Sequence, residues 1–296
     1  MNGYIAFPHL HIELEHVGRS VTLFGVEIAY YGILIALAMA AGLWLVCRLA
    51  VRSGQKAETY MDFAAPGLVL AILGARLYYV AFSWSYYREH PAQILNLRGG
   101  GLAIYGGILA GSVCAWIWCR MKKTDLRTFL DTAMPGVALG QAIGRWGNFF
   151  NREAFGRYTD GLTAMRLPLT DVSSSDVTQE MLSHLVTDRG AECVQVHPTF
   201  LYESVWDLLV LGMLLIVWRR PGRPKGAILA LYLLGYGLGR LWIEGLRTDQ
   251  LLWPGTGVAV SQVLSGLLAA AALVSLIVMR RQSRQSSSAG TIGFRN

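Results

Sequence analysis

The stretch IAYYGILIALAMAAGLWLVC, Ile28–Cys47, holds twenty residues without a charge. At a helical rise of about 1.5 Å per residue it spans the ~30 Å hydrocarbon core of a bilayer, so it reads as a membrane-crossing helix. Six further runs follow: Phe63–Ser83, Leu102–Cys119, Phe129–Phe150, Pro198–Trp218, Gly226–Leu246 and Gly257–Val278. Phe129–Phe150 is the weakest of them, because Asp131, Gln141 and Arg145 interrupt it. Composition agrees, with 53% of residues hydrophobic, 15% charged and a mean hydropathy of +0.40. A soluble domain carries about a quarter charged residues. The expected fold is an all-α polytopic membrane protein with seven transmembrane helices, and a soluble binding module is excluded. Met1–Glu27 lacks a basic stretch followed by an apolar core, so the first span is expected to be retained rather than cleaved.

Lysine and arginine counts in the short loops set the orientation. Arg48, Arg52 and Lys56 follow span one; Arg120, Lys122, Lys123 and Arg127 follow span three; Arg219, Arg220, Arg223 and Lys225 follow span five. Arg280, Arg281, Arg284 and Arg295 lie in the tail. The other side has Arg19, Arg88, Arg98 and Arg247, plus Arg152, Arg157, Arg166 and Arg189 diluted over one long loop. The N-terminus is therefore expected outside and the C-terminus in the cytoplasm. A formal charge of +7 then reflects topology and attraction to anionic membrane lipids. Basic residues scattered over four cytoplasmic segments argue against nucleic acid.

The spans divide the chain into an outer N-terminal segment 1–27, helices one to four in 28–151, an outer head in 152–197, helices five to seven in 198–279, and a tail 280–296. Arg152–His197 is too long to be a mere connection, and Ser173-Ser174-Ser175-Asp176 suits the start of a short helix through Leu185. His9, His11, Glu13 and Glu15 alternate as an exposed strand or hairpin does, a better reading than a metal site. Gln282–Asn296, rich in Ser, Arg and Gly, is expected to be disordered. Cys47, Cys114 and Cys119 read as small apolar packing residues, and Cys193 stands alone in the outer loop. No Cys/His spacing suits a metal.

Ionisable groups at membrane depth cost about 2.5–3.5 kcal/mol each on the insertion scale, so they mark function. Counted from the inner ends of spans two, four and six, Arg76, Arg145 and Arg240 fall about 20–24 Å along. Tyr31, Tyr105, Tyr202 and Glu203 lie within about 8 Å of the outer ends of spans one, three and five. All share the outer half of the membrane. On span six, Tyr236, Arg240, Glu244 and Arg247 fall within an arc of about 80°. That face must meet the bundle interior or a wet cavity. Arg240 pairing with Glu244 is one reading; ligand binding is favoured for Arg240, because several arginines compete for few buried acids. Packing and substrate roles both stand for Arg76. His197 reads equally as a cap for span five, and Glu203 needs a partner, expected to be an arginine. An arginine-lined apolar cavity open to the outer leaflet suits a phospholipid, since guanidinium groups grip phosphate bidentately.

The end of the fourth span reads GRWGNFFNREAFG, Gly144–Gly156. It joins Tyr31-Gly32, Gly74-Ala75-Arg76, the Gly99-Gly100-Gly101 entry to span three, His197-Pro198 with Leu201-Tyr202-Glu203, and Gly235-Tyr236-Gly237 with Gly239-Arg240 and Glu244–Arg247. In this order the blocks resemble the prolipoprotein diacylglyceryl transferases of the bacterial cytoplasmic membrane. The resemblance covers spans one to six. It implies transfer of the diacylglyceryl group of phosphatidylglycerol to the lipobox cysteine thiol of a prolipoprotein signal peptide, releasing glycerol 1-phosphate, with no metal or organic cofactor. It implies essential roles for Arg145 and Arg240, a signature role for Asn148, Glu153 and Gly156, and functional roles for Tyr31 and Glu244. Some members carry a histidine, proposed as a base, where this chain has Tyr105. An ordinary tyrosine of pKa about 10 is a poor base at neutral pH, whereas a thiol of pKa about 8.5 needs little help. Tyr105 is thus a site residue of open role, and the base is unassigned. The competing class is a lipid or solute transporter with the same cavity. Transport needs access from both faces, whereas Arg76, Arg145, Arg240 and Glu203 stay in the outer half, and no internal repeat supports it.

Overall fold

The computed structural model describes residues 3–97, 99–250, 252, 253, 255 and 257–292. Arg98 and Arg295, both used above for orientation, and tail residues 293–296 lie outside them. Strands β1 (Ile5–Phe7) and β2 (Ile12–Leu14) lead through the hairpin β3 (Ser20–Leu23) and β4 (Val26–Ala29) into α1 (Tyr30–Arg52). Next come α2 (Glu58–Phe82), the one-turn α3 (Trp84–Tyr87), α4 (Ile104–Met121) and α5 (Leu126–Asn151). After β5 (Met165–Pro168), α6 (Gln179–Ser183), β6 (Val186–Asp188) and β7 (Ala191–Val196), the chain ends with α7 (Thr199–Trp218), α8 (Ala227–Ile243) and α9 (Val260–Ile292).

Six helices are long and apolar enough to cross a membrane: α1, α2, α4, α7, α8 extended to Leu246, and α9. The fourth expected span, α5, forms a helix of 26 residues but is not among the six, for the polar interruptions already noted. Helices outrun the apolar windows: α1 continues past Cys47 to Arg52, and α2 starts at Glu58. Lipid demands apolar side chains only across its core, while the backbone ladder continues until a turn stops it. After α1 that turn is Gly54, at φ +74°. The backbone of α9 likewise continues helical to Ile292, through much of the stretch expected to be disordered.

Contacts group the chain into two compact units, Leu43–Ala133 and Met1–Gly42 with Met134–Asn296. In the first, α2 and α4 pack through glycines. A Cβ on Gly74 would meet Ala110 Cβ at 2.2 Å, and one on Gly106 would meet Gly74 O at 2.4 Å. Only bare backbone allows this approach, the close helix contact familiar in membranes. A core at one end stacks Tyr60 on Phe129 with centroids 4.7 Å apart.

The second unit corrects the all-α expectation. Its head is a five-stranded antiparallel sheet, ordered β2-β1-β5-β7-β6. The N-terminal segment is thus part of the head: Ala6 pairs with Arg166, and Ile5 and Phe7 join a core with Leu167, Val194, Val196 and Phe200. β1 is three residues long and buried throughout, so no two-residue alternation betrays it. The expected exposed strand is β2, paired with β1, while His9 lies in a 3-10 turn and meets Asp160 at 2.9 Å. That contact holds the Asp160 carboxyl below its ordinary value. The short head helix is capped by Thr178, whose hydroxyl accepts from Met181 N, and not by the serines from Ser173. Cys193 is fully buried, and burial pushes its thiol pKa up.

Candidate active site

Three helices of the second unit meet at one charged cluster. Arg145 comes from the last turns of α5, Glu203 from the first turns of α7, and Arg240 from the last turn of α8. Glu203 is the hub. Its carboxylate contacts Arg145 Nε through Oε2, accepts from Arg240 Nη1 through Oε1 at 3.1 Å, and lies 3.5 Å from Arg247 Nη1. Arg240 Nη2 also lies 2.6 Å from Glu244 Oε2, an ion contact rather than an aligned hydrogen bond. Ser261 donates to the other Glu244 oxygen at 2.6 Å.

The expectation that arginines outnumber acids is corrected here. Arg247 donates twice to Asp249, at 2.9 and 2.6 Å. Burial alone would raise the Asp249 carboxyl, but the Arg247 fork outweighs it and holds the group below its ordinary value. Asp207 adds a fourth acid, lining a cavity with Arg145, Glu203, Trp206, Tyr236 and Arg240. The Arg240–Glu244 pair is real, and it coexists with the Glu203 contact. Arg145 contacts Glu203 through Nε, and its side chain lines the cavity beside Asp207.

Glycines explain how these helices come so close. A Cβ on Gly239 would strike the Trp206 indole at 2.3 Å, and one on Gly237 would meet Ser265 O of α9 at 2.7 Å. Gly156 joins three segments: it donates to His197 O at 2.9 Å, and a Cβ there would meet His197 Cβ at 2.8 Å and Leu246 O at 2.9 Å. The Gly-rich motifs of span six and the end of the signature thus keep room for neighbouring backbone and for the Trp206 indole.

The other signature residues act locally. Glu153 accepts from Asn148 Nδ2 at 2.9 Å and from Asn151 Nδ2 at 3.3 Å. Arg152 is buried at φ +55°, bonds Phe150 O and Val17 O, and ties the helix end to the N-terminal segment. Burial lowers its pKa. Tyr31 packs its ring where a Cβ on Gly147 would fall, beside Asn148. His197 does not cap α7; its Nδ1 lies 3.2 Å from the Tyr202 hydroxyl, and burial lowers its pKa.

Arg76 and Tyr105 belong to the unit Leu43–Ala133. Arg76 is buried and spends four N–H bonds on the carbonyls of Gln93, Ile94, Gly100 and Gly101. Such bonding anchors the loop before α4 and leaves one N–H for anything else. Tyr105 is half-buried in the first turn of α4. Asp249, Ser261 and Asp207 were missed in the sequence. Asp207 carried a readable signal, since it lies four residues beyond Glu203 and shares its helix face.

A family model described as prolipoprotein diacylglyceryl transferase matches residues 19–278. The chain belongs to the prolipoprotein diacylglyceryl transferase family. Curated relatives include the phosphatidylglycerol–prolipoprotein diacylglyceryl transferase of Enterococcus faecalis, 41% identical over 88% of this chain and 89% of the relative. Those of Finegoldia magna and Parasynechococcus marenigrum are 39% and 40% identical, covering 88% and 86% of this chain and 95% and 91% of theirs. The family catalyses the first step of lipoprotein maturation, and this chain is a transferase in a multi-pass membrane setting.

Proposed function

We propose that this chain transfers the diacylglyceryl group of phosphatidylglycerol to the thiol of a lipobox cysteine, forming a thioether and releasing glycerol 1-phosphate. The arginine cluster around Glu203 is the observation that carries this reading. In the reaction sulfur attacks a glycerol carbon and the carbon–oxygen bond to phosphate breaks, with its electron pair leaving on the phosphate. Charge grows on the leaving group, so donors already in place stabilise the transition state more than the bound lipid. Arg145 lines the cavity from one side, and Arg240 is held by two acids. Tyr236 and Arg247 complete the polar face, while Tyr31, Asn148, Glu153 and Gly156 shape its approach. Purified protein, phosphatidylglycerol vesicles and a lipobox peptide test the reading by mass. A peptide heavier by one diacylglyceryl group supports it; an unchanged peptide with lipid moving between leaflets favours the transporter instead.

The reading carries a topology. α5 serves as a seventh crossing, its polar face turned from lipid, and the protein sits in the bacterial cytoplasmic membrane. The head built from 1–27 and 152–197 lies outside, and 280–296 lies in the cytoplasm. Single cysteines introduced on a background lacking the natural four are expected to react with an impermeant thiol reagent in intact cells at the loop 152–197. Those at Lys122 and Arg220 are expected to stay unlabelled. Labelling at Lys122 would overturn the orientation.

Tyr105 tests whether a phenol hydroxyl is chemically required. Tyr105→Phe is expected to slow transfer without abolishing it, and Tyr105→His to keep activity, because hydrogen bonding suffices there. A phenylalanine variant with normal lipid binding and no turnover would make the hydroxyl essential.

A further inference from the structure

Asp207 sits one turn beyond Glu203 on α7 and is buried in the wall of the arginine-lined cavity. The two carboxyls share a helix face but not an environment. Guanidinium groups hold Glu203, Glu244 and Asp249. Among the described residues no hydrogen bond or ion pair engages the Asp207 carboxyl. The charged and polar groups that face it are Glu203 from its own helix, Arg145 from α5, and Arg240, Tyr236 and Tyr232 from α8. Buried polar groups are nearly always partnered, so a bare acid in a cavity wall calls for an occupant. An acid locked to arginine is a weak proton acceptor, because its lone pairs and charge are already engaged. Asp207 is the acid in this wall left with both.

We propose that Asp207 accepts the thiol proton of the incoming cysteine, an inference that rests on the transferase reading above. The sulfur electron pair forms the bond to the glycerol carbon, and the carbon–oxygen bond breaks toward phosphate. The S–H proton passes to an Asp207 oxygen and returns to water after product leaves. Separating the roles is chemically sensible: arginines neutralise the leaving phosphate, and an unpaired carboxylate nearby takes the proton.

The test compares two peptides that differ only in the lipobox nucleophile, cysteine or selenocysteine. A selenol is already deprotonated at neutral pH and needs no base. Without a base, a thiol of pKa about 8.5 is still roughly 3% thiolate at about pH 7, which bounds the loss near thirtyfold. D207N is therefore expected to slow transfer to the cysteine peptide by about tenfold to thirtyfold while leaving the selenocysteine peptide near wild type. On cysteine its rate should climb with pH as the thiol ionises unaided, through about pH 8.5. The selenocysteine-to-cysteine rate ratio does not depend on how much protein is folded, so a destabilised variant still reports, and Asp207→Ser gives a second reading. An unchanged ratio in both variants would overturn the assignment and leave Asp207 a packing residue. Wild-type protein that modifies neither peptide would remove the transferase reading itself, and this inference with it.

Discussion

Arg145→Lys and Arg240→Lys are each expected to lower turnover by about 10²–10³, roughly 2.7–4 kcal/mol, if these donors act like those of an oxyanion hole. Lysine keeps the charge but loses the planar fork that holds two phosphate oxygens. The two variants should differ in stability. Arg145 makes one ion contact through Nε, and its side chain is 23% exposed, so lysine there should melt close to wild type. Arg240 bridges Glu203 and Glu244, and lysine cannot span both. Its variant should lose rate and melting temperature together. Single-turnover rates and melting curves on the same preparations separate chemistry from packing. A lowered melting temperature with an unchanged rate, at Arg145 above all, would sink the phosphate-binding assignment.

Much of the membrane part was legible because lipid imposes a simple rule on sequence. Six of the seven expected spans are helices long and apolar enough to cross a membrane. The spacing of Arg240, Glu244 and Arg247 anticipated one charged cluster, with Tyr236 lining the cavity beside it. Glu203 was legible as an acid in need of an arginine; it has three. What escaped is what periodicity cannot carry. The two strands that join the N-terminal segment to the outer loop, β1 and β5, have three and four residues and leave too short a pattern, so the two regions looked unrelated although Ala6 and Arg166 pair across the sheet. The number of acids was misjudged because Asp249 follows the last turn of span six and Asp207 was not set against Glu203. Glycines were legible as close approaches, but not what they approach: Gly156 meets His197 and Leu246, which lie far along the chain.

Glu203→Gln should have the largest effect on stability. The substitution keeps the shape and removes the one negative charge that three guanidinium groups share. Breaking a buried ion pair by deleting one partner costs about 3–5 kcal/mol, because the remaining charge is stranded. Here the glutamate side chain is 6% exposed and its partners 13–23%, so partial solvation places the loss toward the lower end of that range. The stranded arginines would then seek another anion. Phosphatidylglycerol should raise the melting temperature of the variant more than that of wild type, while a zwitterionic lipid should not, since a ligand stabilises in proportion to its preference for the folded state. Kinetics should split the same way. KM for the lipid should fall, because phosphate no longer competes with the carboxylate. The turnover number should fall as well, because guanidinium groups that Glu203 no longer holds must reorganise as charge develops. A variant that melts like wild type and gains nothing extra from the anionic lipid would mean that Glu203 does not hold the arginines.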